Sequence, residues 1–238
     1  MGSTRLPGKV MKHLAGKTVL SHVIARVKAC PEVDEVVVAT TTLPEDDVIA
    51  AEVVRCGAKV HLGSKDDVLS RYYGAAKEAK ADVVIRVTSD CPLFDPLVLS
   101  RMMAVFQSAY VGANPIDYLG NSLARTFPRG LDAEVFTFSA LQRAYEKANK
   151  DYEREHVTPY IYQHPEMFRL KNFAIDQDLS FHRWTLDTVE DYELLKSIYD
   201  HLGQGVGIFT TDEVLELFEK RPELIQINAH VHQKKLGE

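Results

Sequence analysis

The sequence lacks any long apolar run. No stretch of about 18 consecutive apolar residues occurs in its 238 residues. The first nine residues, MGSTRLPGK, contain no apolar segment of the kind that a signal peptide carries. We therefore expect a cytoplasmic protein without a membrane partner.

Cysteine and positive charge are also scarce. The three cysteines are Cys30, Cys56 and Cys91. They are odd in number and far apart, which argues against a disulfide framework or a zinc site. The formal net charge of −6 argues against a nucleic-acid-coating protein, because binding a phosphate backbone needs a broad basic surface. A small anionic ligand remains compatible with the local basic cluster of Arg5, Lys9 and Lys12.

Short β-branched runs alternate with amphipathic helical patterns up to about residue 110. The predicted strands are 36–39, 59–62 and 83–87, and the predicted helices lie near 20–30, 45–56, 68–76 and 96–106. This alternation predicts βαβ units and an α/β fold with a mostly parallel, doubly wound sheet. After residue 114 the pattern predicts strands at 133–138 and 169–175, helices at 139–149 and 153–163, and two capped helices that begin near 188 and 210.

Ligands of open α/β sheets bind beyond the carboxyl ends of the strands, which directs attention to three polar segments. The first is the loop 2–9, GSTRLPGK, whose backbone N–H groups could hold phosphates while Arg5 and Lys9 neutralise charge. It is not a P-loop, because Val10 stands where that motif has Ser or Thr. A disordered basic tail is the alternative interpretation.

The other two segments each contribute an aspartate. Asp90 follows the strand 83–87, and Asp187 ends the segment RWTLD just before a capped helix. Two carboxylates from separate strand ends suit Mg²⁺, which uses one or two carboxylates plus substrate phosphates. A turn or a helix cap is the alternative for each, although Thr188 fills the capping role better than Asp187.

Together these segments resemble the cytidylyltransferases that make CMP-sugars. The loop 3–9 resembles the nucleotide loop of CMP-Kdo synthetases, Asp90 falls where their metal ligand lies, and LDTVED at 186–191 resembles their Asp-Thr-Pro-Glu-Asp segment, with Val189 in place of the proline. Three further segments resemble the spore-coat-polysaccharide branch, which is related to the pseudaminate and acylneuraminate enzymes. They are 63–72, 130–136 and 153–160.

The resemblance covers nearly the whole chain and implies one nucleotide-diphospho-sugar-transferase domain, 1–238. It divides into a nucleotide-binding half, 1–113, and a sugar-binding and dimerisation half, 114–238. The implied reaction moves CMP from CTP to an acidic sugar, with Mg²⁺ as cofactor and a homodimer as the assembly. Two rival functions stay open. One is a glycosyltransferase of the same fold, although no Asp-x-Asp follows a predicted strand, and the other is a non-catalytic nucleotide-binding protein.

The resemblance also implies roles for individual residues. Catalysis is assigned to Arg5, Lys9 and Asp90, and the metal to Asp90 and Asp187. The nucleotide is assigned to Gly2, Ser3, Thr4, Arg5, Lys9, Gly63, Asp67 and Arg71. The sugar is assigned to Arg129, Asp132, Glu134, Arg154 and His156. For Arg71 and Arg154 a solvated helix charge is the alternative, and for His156 a packing role.

A phosphate-binding loop in an α/β fold ordinarily follows a strand that directs it at the ligand. Here no strand precedes the loop 2–9, whereas the relatives begin with an apolar strand that ends in an Ala-Arg pair. We therefore expect the fold to lack its first strand, one that lies in the middle of the sheet. We also expect an upstream extension to improve both stability and activity.

Overall fold

The computed structural model describes residues 5–111, 115–203 and 207–233. The predicted nucleotide contacts Gly2, Ser3 and Thr4 lie outside the described residues. None of the helices in the described part of the chain is long and apolar enough to cross a membrane.

Helices and strands alternate along the described chain much as the apolar pattern predicts. The strands are β1 (His13–Leu14), β2 (Lys17–Thr18), β3 (Val37–Thr41), β4 (Lys59–Gly63), β5 (Val83–Arg86), β6 (Tyr118–Gly120), β7 (Glu134–Thr137) and β8 (Leu170–Asn172). The α-helices are α1 (Val19–Lys28), α2 (Asp47–Arg55), α3 (Val68–Glu78), α4 (Pro96–Tyr110), α5 (Phe138–Lys147), α6 (Asp151–His156), α7 (Pro159–Tyr162), α8 (Val189–Leu202) and α9 (Thr211–Lys220). Three 3-10 helices complete the list at Lys9–Met11, Pro44–Asp46 and Pro222–Ile227.

The described strands form three separate hydrogen-bonded sheets. β3 and β4 pair in parallel, while the four-stranded sheet has the order β5-β7-β6-β8. In that sheet β7 is antiparallel to both of its neighbours, and β6 and β8 are parallel. The sheet is thus more mixed than the βαβ pattern predicts, because the reversal falls in the half of the chain where helix and strand stop alternating. β1 and β2 form a small antiparallel hairpin.

The capping patterns identify the helix starts well. Thr188 and Thr210 each accept a hydrogen bond from the backbone N–H three residues later, and each forms a capping box. The single helix expected at 153–163 is instead two helices, α6 and α7. They are separated at Val157, whose φ of 75° breaks the helical path.

The second half of the chain encloses a buried histidine. His182 is 4% exposed, and its ring centroid lies 5.5 Å from that of Trp184 and 5.3 Å from that of Phe218. Its Nδ1 has no hydrogen-bond partner among the described residues. Burial lowers the pKa of His182 to about 4, so the native protein holds this imidazole neutral.

Acidification is therefore expected to destabilise the protein through His182. In the unfolded chain His182 takes up a proton near its ordinary pKa of about 6.5. In the folded protein it does so only near pH 4. The free energy of unfolding therefore falls as the pH drops through that window, by up to about 3 kcal/mol. Urea unfolding at several pH values measures the slope. His182→Phe should flatten it, whereas His232→Gln, an exposed control, should leave it unchanged. Equal slopes for His182→Phe and the parent would contradict the assignment.

Candidate active site

Backbone hydrogen bonds bring the two predicted metal ligands together. Asp90 lies in the loop after β5, and its carbonyl accepts from the backbone N–H of Leu186 at 2.9 Å. The hydroxyl of Thr185 approaches the same oxygen at 3.4 Å. These contacts hold the segment that ends in Asp187 against the loop that carries Asp90.

The same segment is held on its other side by the chain around Gly130. The N–H of Arg129 donates to the carbonyl of His182 at 3.0 Å, and the N–H of Trp184 donates to the carbonyl of Arg129 at 2.7 Å. Gly130 has a φ of 104°, and a Cβ there would lie 2.5 Å from the carbonyl carbon of Trp184. This close approach requires glycine.

Lys9 joins the two carboxylates. Its Nζ lies 2.6 Å from Asp90 Oδ2 and 2.8 Å from Asp187 Oδ1. Burial by itself would lower the pKa of Lys9, but Asp90 and Asp187 outweigh it and raise that pKa, so the ammonium stays charged. The two carboxylates thus converge on a single cation, as the sequence predicts. The expectation that Asp187 ends a strand is wrong, because the segment before it pairs only through an isolated bridge between Arg183 and Arg129.

Asp187 is the most heavily paired acid of the site. Besides Lys9, the guanidinium of Arg5 lies 3.0 Å from Asp187 Oδ2, and Arg183 Nη2 donates to that oxygen at 2.8 Å. Burial would raise the pKa of Asp187, but these three cations outweigh it and lower the pKa. The carboxylate is therefore ionised throughout the physiological range.

Asp191 holds Arg183 and Asp187 in place through hydrogen bonds. It is fully buried and accepts from Arg183 Nε at 2.8 Å, from the N–H of Asp187 at 2.9 Å and from Asn228 Nδ2 at 2.9 Å. Its position as the third residue of α8 also makes it part of the capping box with Thr188. One carboxylate therefore fixes both the start of α8 and the orientation of Arg183 and Asp187.

The site's acids suit a divalent metal. Asp90 and Asp187 present oxygens, the ligands that Mg²⁺ prefers, and the Lys9 ammonium between them shows that this position accommodates a cation. Among the described residues no group of three or more His, Cys, Asp or Glu side chains converges as a metal site. Two carboxylates with substrate phosphates as the other ligands match this donor set.

Two residues predicted to contact the nucleotide are occupied by protein partners. Asp67 caps α3, accepting from the N–H of Ser70 at 2.9 Å, and it also forms a two-pronged ion pair with Arg154. The resemblance assigns Asp67 to the nucleotide and Arg154 to the sugar, and in the structure these two side chains contact each other. Arg71 donates to the carbonyl of Ala39 at 3.3 Å and packs against Gly63, where a Cβ would lie 2.7 Å from its Cγ.

The residues predicted to contact the sugar differ in whether their side chains have protein partners. Asp132 pairs with Arg125 at 2.5 Å and accepts from the N–H of Gly130, whereas the half-buried guanidinium of Arg129 has no partner among the described residues. Burial lowers the pKa of Arg129, and Arg125 lowers it further. Asp132 offsets this only in part, so a half-buried cation without a hydrogen-bonded acid at this position favours an anionic ligand.

Glu134 and His156 are placed differently. Glu134 is buried in β7, where Arg86 contacts it at 2.5 Å and the hydroxyls of Tyr118 and Thr158 each donate at 2.6 Å. These bonds are all to protein groups. His156 ends α6, half-buried, and its ring has no hydrogen-bond partner among the described residues.

Comparison with known proteins now decides the family. A family model described as Cytidylyltransferase matches residues 1–235. The chain belongs to the cytidylyltransferase family. This membership confirms the resemblance found in the sequence and makes the protein a nucleotidyltransferase enzyme.

Three similar proteins illustrate the family. A cytidylyltransferase structure from Leptospira borgpetersenii is 35% identical with a TM-score of 0.88, and the match covers 99% of this chain and 95% of that one. The spore coat polysaccharide biosynthesis protein SpsF of Bacillus subtilis is 31% identical over 230 residues, 94% of this chain and 92% of SpsF. A CMP:2-keto-3-deoxy-manno-octonic acid synthetase complexed with CTP, 17% identical, has a TM-score of 0.62 and covers 84% of this chain and 95% of that one.

These structures confirm the predicted α/β class of the nucleotide-diphospho-sugar-transferase type. The last of them supports the fold alone, given its low identity.

Sequence reasoning did not identify four residues that contact the predicted site residues or one another: Arg125, Arg183, Asp191 and Asn228. Arg183 stands in the same RWTLD segment as Asp187. A cation four residues before a candidate metal ligand is a sequence pattern that could have identified it. Asp191 belongs to the segment 186–191 that carries the family resemblance, but the resemblance assigns it no role. Asn228 carried no signal, because its contact depends on the chain returning from 37 residues away.

Replacing Lys9 tests its role in this site. Lys9→Met removes the ammonium, and we expect nucleotidyl transfer to fall roughly a hundredfold, the scale of losing one charge-stabilising contact. The protein without nucleotide should then bind Mn²⁺ more tightly, because no ammonium competes for the two carboxylates. Calorimetric titration with Mn²⁺ measures this. Lys12→Met is the matched control, since Lys12 packs over the Tyr192 ring. Unchanged Mn²⁺ affinity in Lys9→Met would contradict the shared site.

Proposed function

We propose that this cytidylyltransferase moves CMP from CTP to an acidic sugar of the Kdo or nonulosonic type, with Mg²⁺ as cofactor. The observation that carries the proposal is the convergence of Asp90 and Asp187 on one cation, with Arg5 and Arg183 also at Asp187. This places two acids and three cations at the carboxyl end of β5, where an α/β sheet binds its ligand.

The reaction is an in-line displacement at phosphorus. A hydroxyl of the sugar attacks the α-phosphorus of CTP, the new P–O bond forms CMP-sugar, the bond to the β-phosphate bridge breaks, and pyrophosphate leaves with its electron pair. The hydroxyl proton passes to solvent or to a phosphate oxygen. Negative charge spreads over the phosphoryl oxygens, so orientation and electrostatic stabilisation provide most of the rate enhancement.

The chain's own residues supply that stabilisation. Lys9 and Arg5 neutralise the leaving pyrophosphate, which requires the Lys9 ammonium to release the carboxylates and turn to the phosphates. Asp90 and Asp187 would then hold Mg²⁺, which when bound neutralises phosphate charge and lowers the pKa of an attached hydroxyl. Arg183 and Asp191 hold Asp187 in place during this exchange.

An anionic acceptor is supported by Arg129. Its guanidinium is half-buried, lacks a partner among the described residues and lies close enough to Arg125 and Arg183 for both to lower its pKa. Asp132 offsets this charge only in part. A carboxylate of the acceptor would supply a direct partner, and Arg binds carboxylates in a two-pronged geometry. The similarity to SpsF, whose name places it in spore coat polysaccharide biosynthesis, supports a sugar as the acceptor.

Pyrophosphate release tests the function directly. The protein is mixed with Mg²⁺, one nucleoside triphosphate and one acid of the Kdo, neuraminate or pseudaminate type, and we expect release with CTP and one of these acids. Equal turnover of UTP or ATP would contradict the choice of base. Turnover only with a preformed nucleotide-sugar would indicate a glycosyltransferase, and nucleotide binding without turnover would indicate a non-catalytic protein. The homodimer and the cytoplasmic location stay predictions.

A further inference from the structure

The loop between β6 and β7, residues 121–133, carries three charged side chains close together. Asp132 Oδ1 lies 2.5 Å from Arg125 Nη1, and Asp132 Oδ2 accepts from the N–H of Gly130 at 3.0 Å. Burial is the main cause that lowers the pKa of Arg129, Arg125 lowers it further and Asp132 raises it, so the three charges are neighbours. Two cations share one acid here, and we call Arg125, Arg129 and Asp132 the loop triad.

Hydrogen bonds to buried groups hold this loop in one shape. The side chain of Asn121 is fully buried, donates to the carbonyl of Leu131 at 2.7 Å and accepts from the N–H of Ala133 at 3.0 Å. Midway along the loop, the hydroxyl of Thr126 accepts from the N–H of Ile175 at 3.0 Å. The loop triad is thus carried on a backbone that is fixed before a ligand arrives, which lowers the entropic cost of binding.

The loop triad borders the reaction centre. Arg129 pairs with Arg183 through an isolated parallel bridge, and Arg183 also contacts the centre through its side chain. Burial raises the pKa of the Cys91 thiol, and the two acids on either side of it, Asp90 and then Asp132, raise it further. A ligand at the loop triad therefore lies next to the carboxylates that the proposed reaction uses.

The reaction centre is electrically balanced without the loop triad. Among the described residues its ion pairs join three cations to three carboxylates, which are Arg5, Lys9 and Arg183 with Asp90, Asp187 and Asp191. The loop triad by itself has one positive charge in excess. One bound negative charge would neutralise it, whereas a second would stay uncompensated in a partly desolvated place.

The loop triad is open to a ligand. The side chains of Arg125 and Asp132 are 17% and 31% exposed, and Arg129 is half-buried. Although Arg125 Nη1 and Asp132 Oδ1 are close, both atoms are buried and neither forms an aligned hydrogen bond among the described residues. A carboxylate oxygen between the two guanidinium groups would supply an aligned acceptor, because Arg binds carboxylates in a two-pronged geometry.

We propose that Arg125 and Arg129 together bind the carboxylate of the acceptor, and that Asp132 limits this site to one negative charge, so that it selects sugar acids against sugar phosphates. This inference rests on the proposed function. It adds a second arginine to the acceptor site, and it makes Asp132 a specificity-determining residue that acts through its charge.

The test titrates small anions of different charge into the whole protein. Mg²⁺ and α,β-methylene-CTP, which cannot be cleaved at the α-phosphate, are present to fill the phosphate-binding part of the site. Acetate is the probe with one negative charge. Methyl phosphate at about pH 8 is the probe with two, because its second pKa is about 6. The backbone N–H signals of Arg129 and Gly130 in NMR spectra report binding of each probe.

The variants separate the charge from the fold. Arg125→Gln and Arg129→Gln should each weaken acetate binding by about tenfold or more. Asp132→Asn keeps an oxygen that can accept from Gly130 but loses the charge, so the affinity for methyl phosphate relative to acetate should rise by about tenfold or more. Asp176→Asn, an exposed acid in the same half of the chain, is the matched control and should change neither affinity. Thermal melting shows which variants are folded, and either kind of variant tests the site without the other.

Three results would overturn the proposal. The first is the same ratio of the two affinities in Asp132→Asn and the parent, and the second is unchanged acetate affinity in both arginine variants. The third concerns the source of the anion: at least one acid of the Kdo, neuraminate or pseudaminate type should displace acetate. Acetate that none of them displaces would assign the loop triad to a free anion. Turnover is not measured, so charge selection without pyrophosphate release would count against the proposed reaction and not against this site.

Discussion

Asp90→Asn and Asp187→Asn are each expected to lower kcat for nucleotidyl transfer from CTP by roughly a hundred- to a thousandfold. Each change removes one of the two charges that converge on Lys9 and, under the proposed function, on Mg²⁺. The amide that replaces each carboxylate is a weaker and uncharged metal ligand. Because the two acids act as a unit, kcat of the double variant should be little lower than that of either single variant.

Pyrophosphate release at saturating CTP measures this effect, and thermal melting separates it from unfolding. Asp90→Asn should melt close to the parent, since Lys9 keeps Asp187 as a partner. Asp187→Asn should lose more stability, because Lys9, Arg5 and Arg183 all lose a counter-charge. Asp212→Asn, an exposed acid of α9, is the control that should change neither quantity. Activity within threefold of the parent in both site variants would show that these carboxylates do not form the reaction centre.

The largest expected loss of stability comes from Asp191→Ala. The change leaves Arg183 buried, with Asp187 as its one remaining ion-pair partner among the described residues, and it removes the acceptor for the N–H groups of Asp187 and Thr188. Removing one partner of a buried ion pair typically costs about 3–5 kcal/mol, since the remaining charge stays out of water. Loss of the capping box at the start of α8 adds about 1 kcal/mol.

Urea unfolding gives the free energy directly. Glu193→Ala is the matched control, an exposed acid two residues further along α8, and it should change the free energy of unfolding by less than about 0.5 kcal/mol. Asp191→Asn should fall between the two, because the amide oxygen still accepts hydrogen bonds while the charge is lost. A cost below about 1 kcal/mol for Asp191→Ala would mean that the pair with Arg183 does not hold this part of the site.

Local patterns in the sequence were sufficient for most of the secondary structure. Apolar residues three and four apart identify α1, and the threonine caps identify the starts of α8 and α9, because these signals depend on neighbours within one or two turns. β6 gave no signal: it has three residues, two of them apolar, and takes its place only by pairing with β7 and β8.

The sequence by itself determined the α/β class and the family, and it predicted Asp90 and Asp187 as site residues, since short motifs are local features. Only the tertiary structure decided how the charges are shared. Lys9 meets Asp187 across 178 positions and Asp67 meets Arg154 across 87, and no local pattern encodes such a pair. Tertiary structure also decided that β3 and β5 face a groove. Their valine-rich sequences predict strands covered on both sides, but which edge is paired depends on which other strand lies beside it.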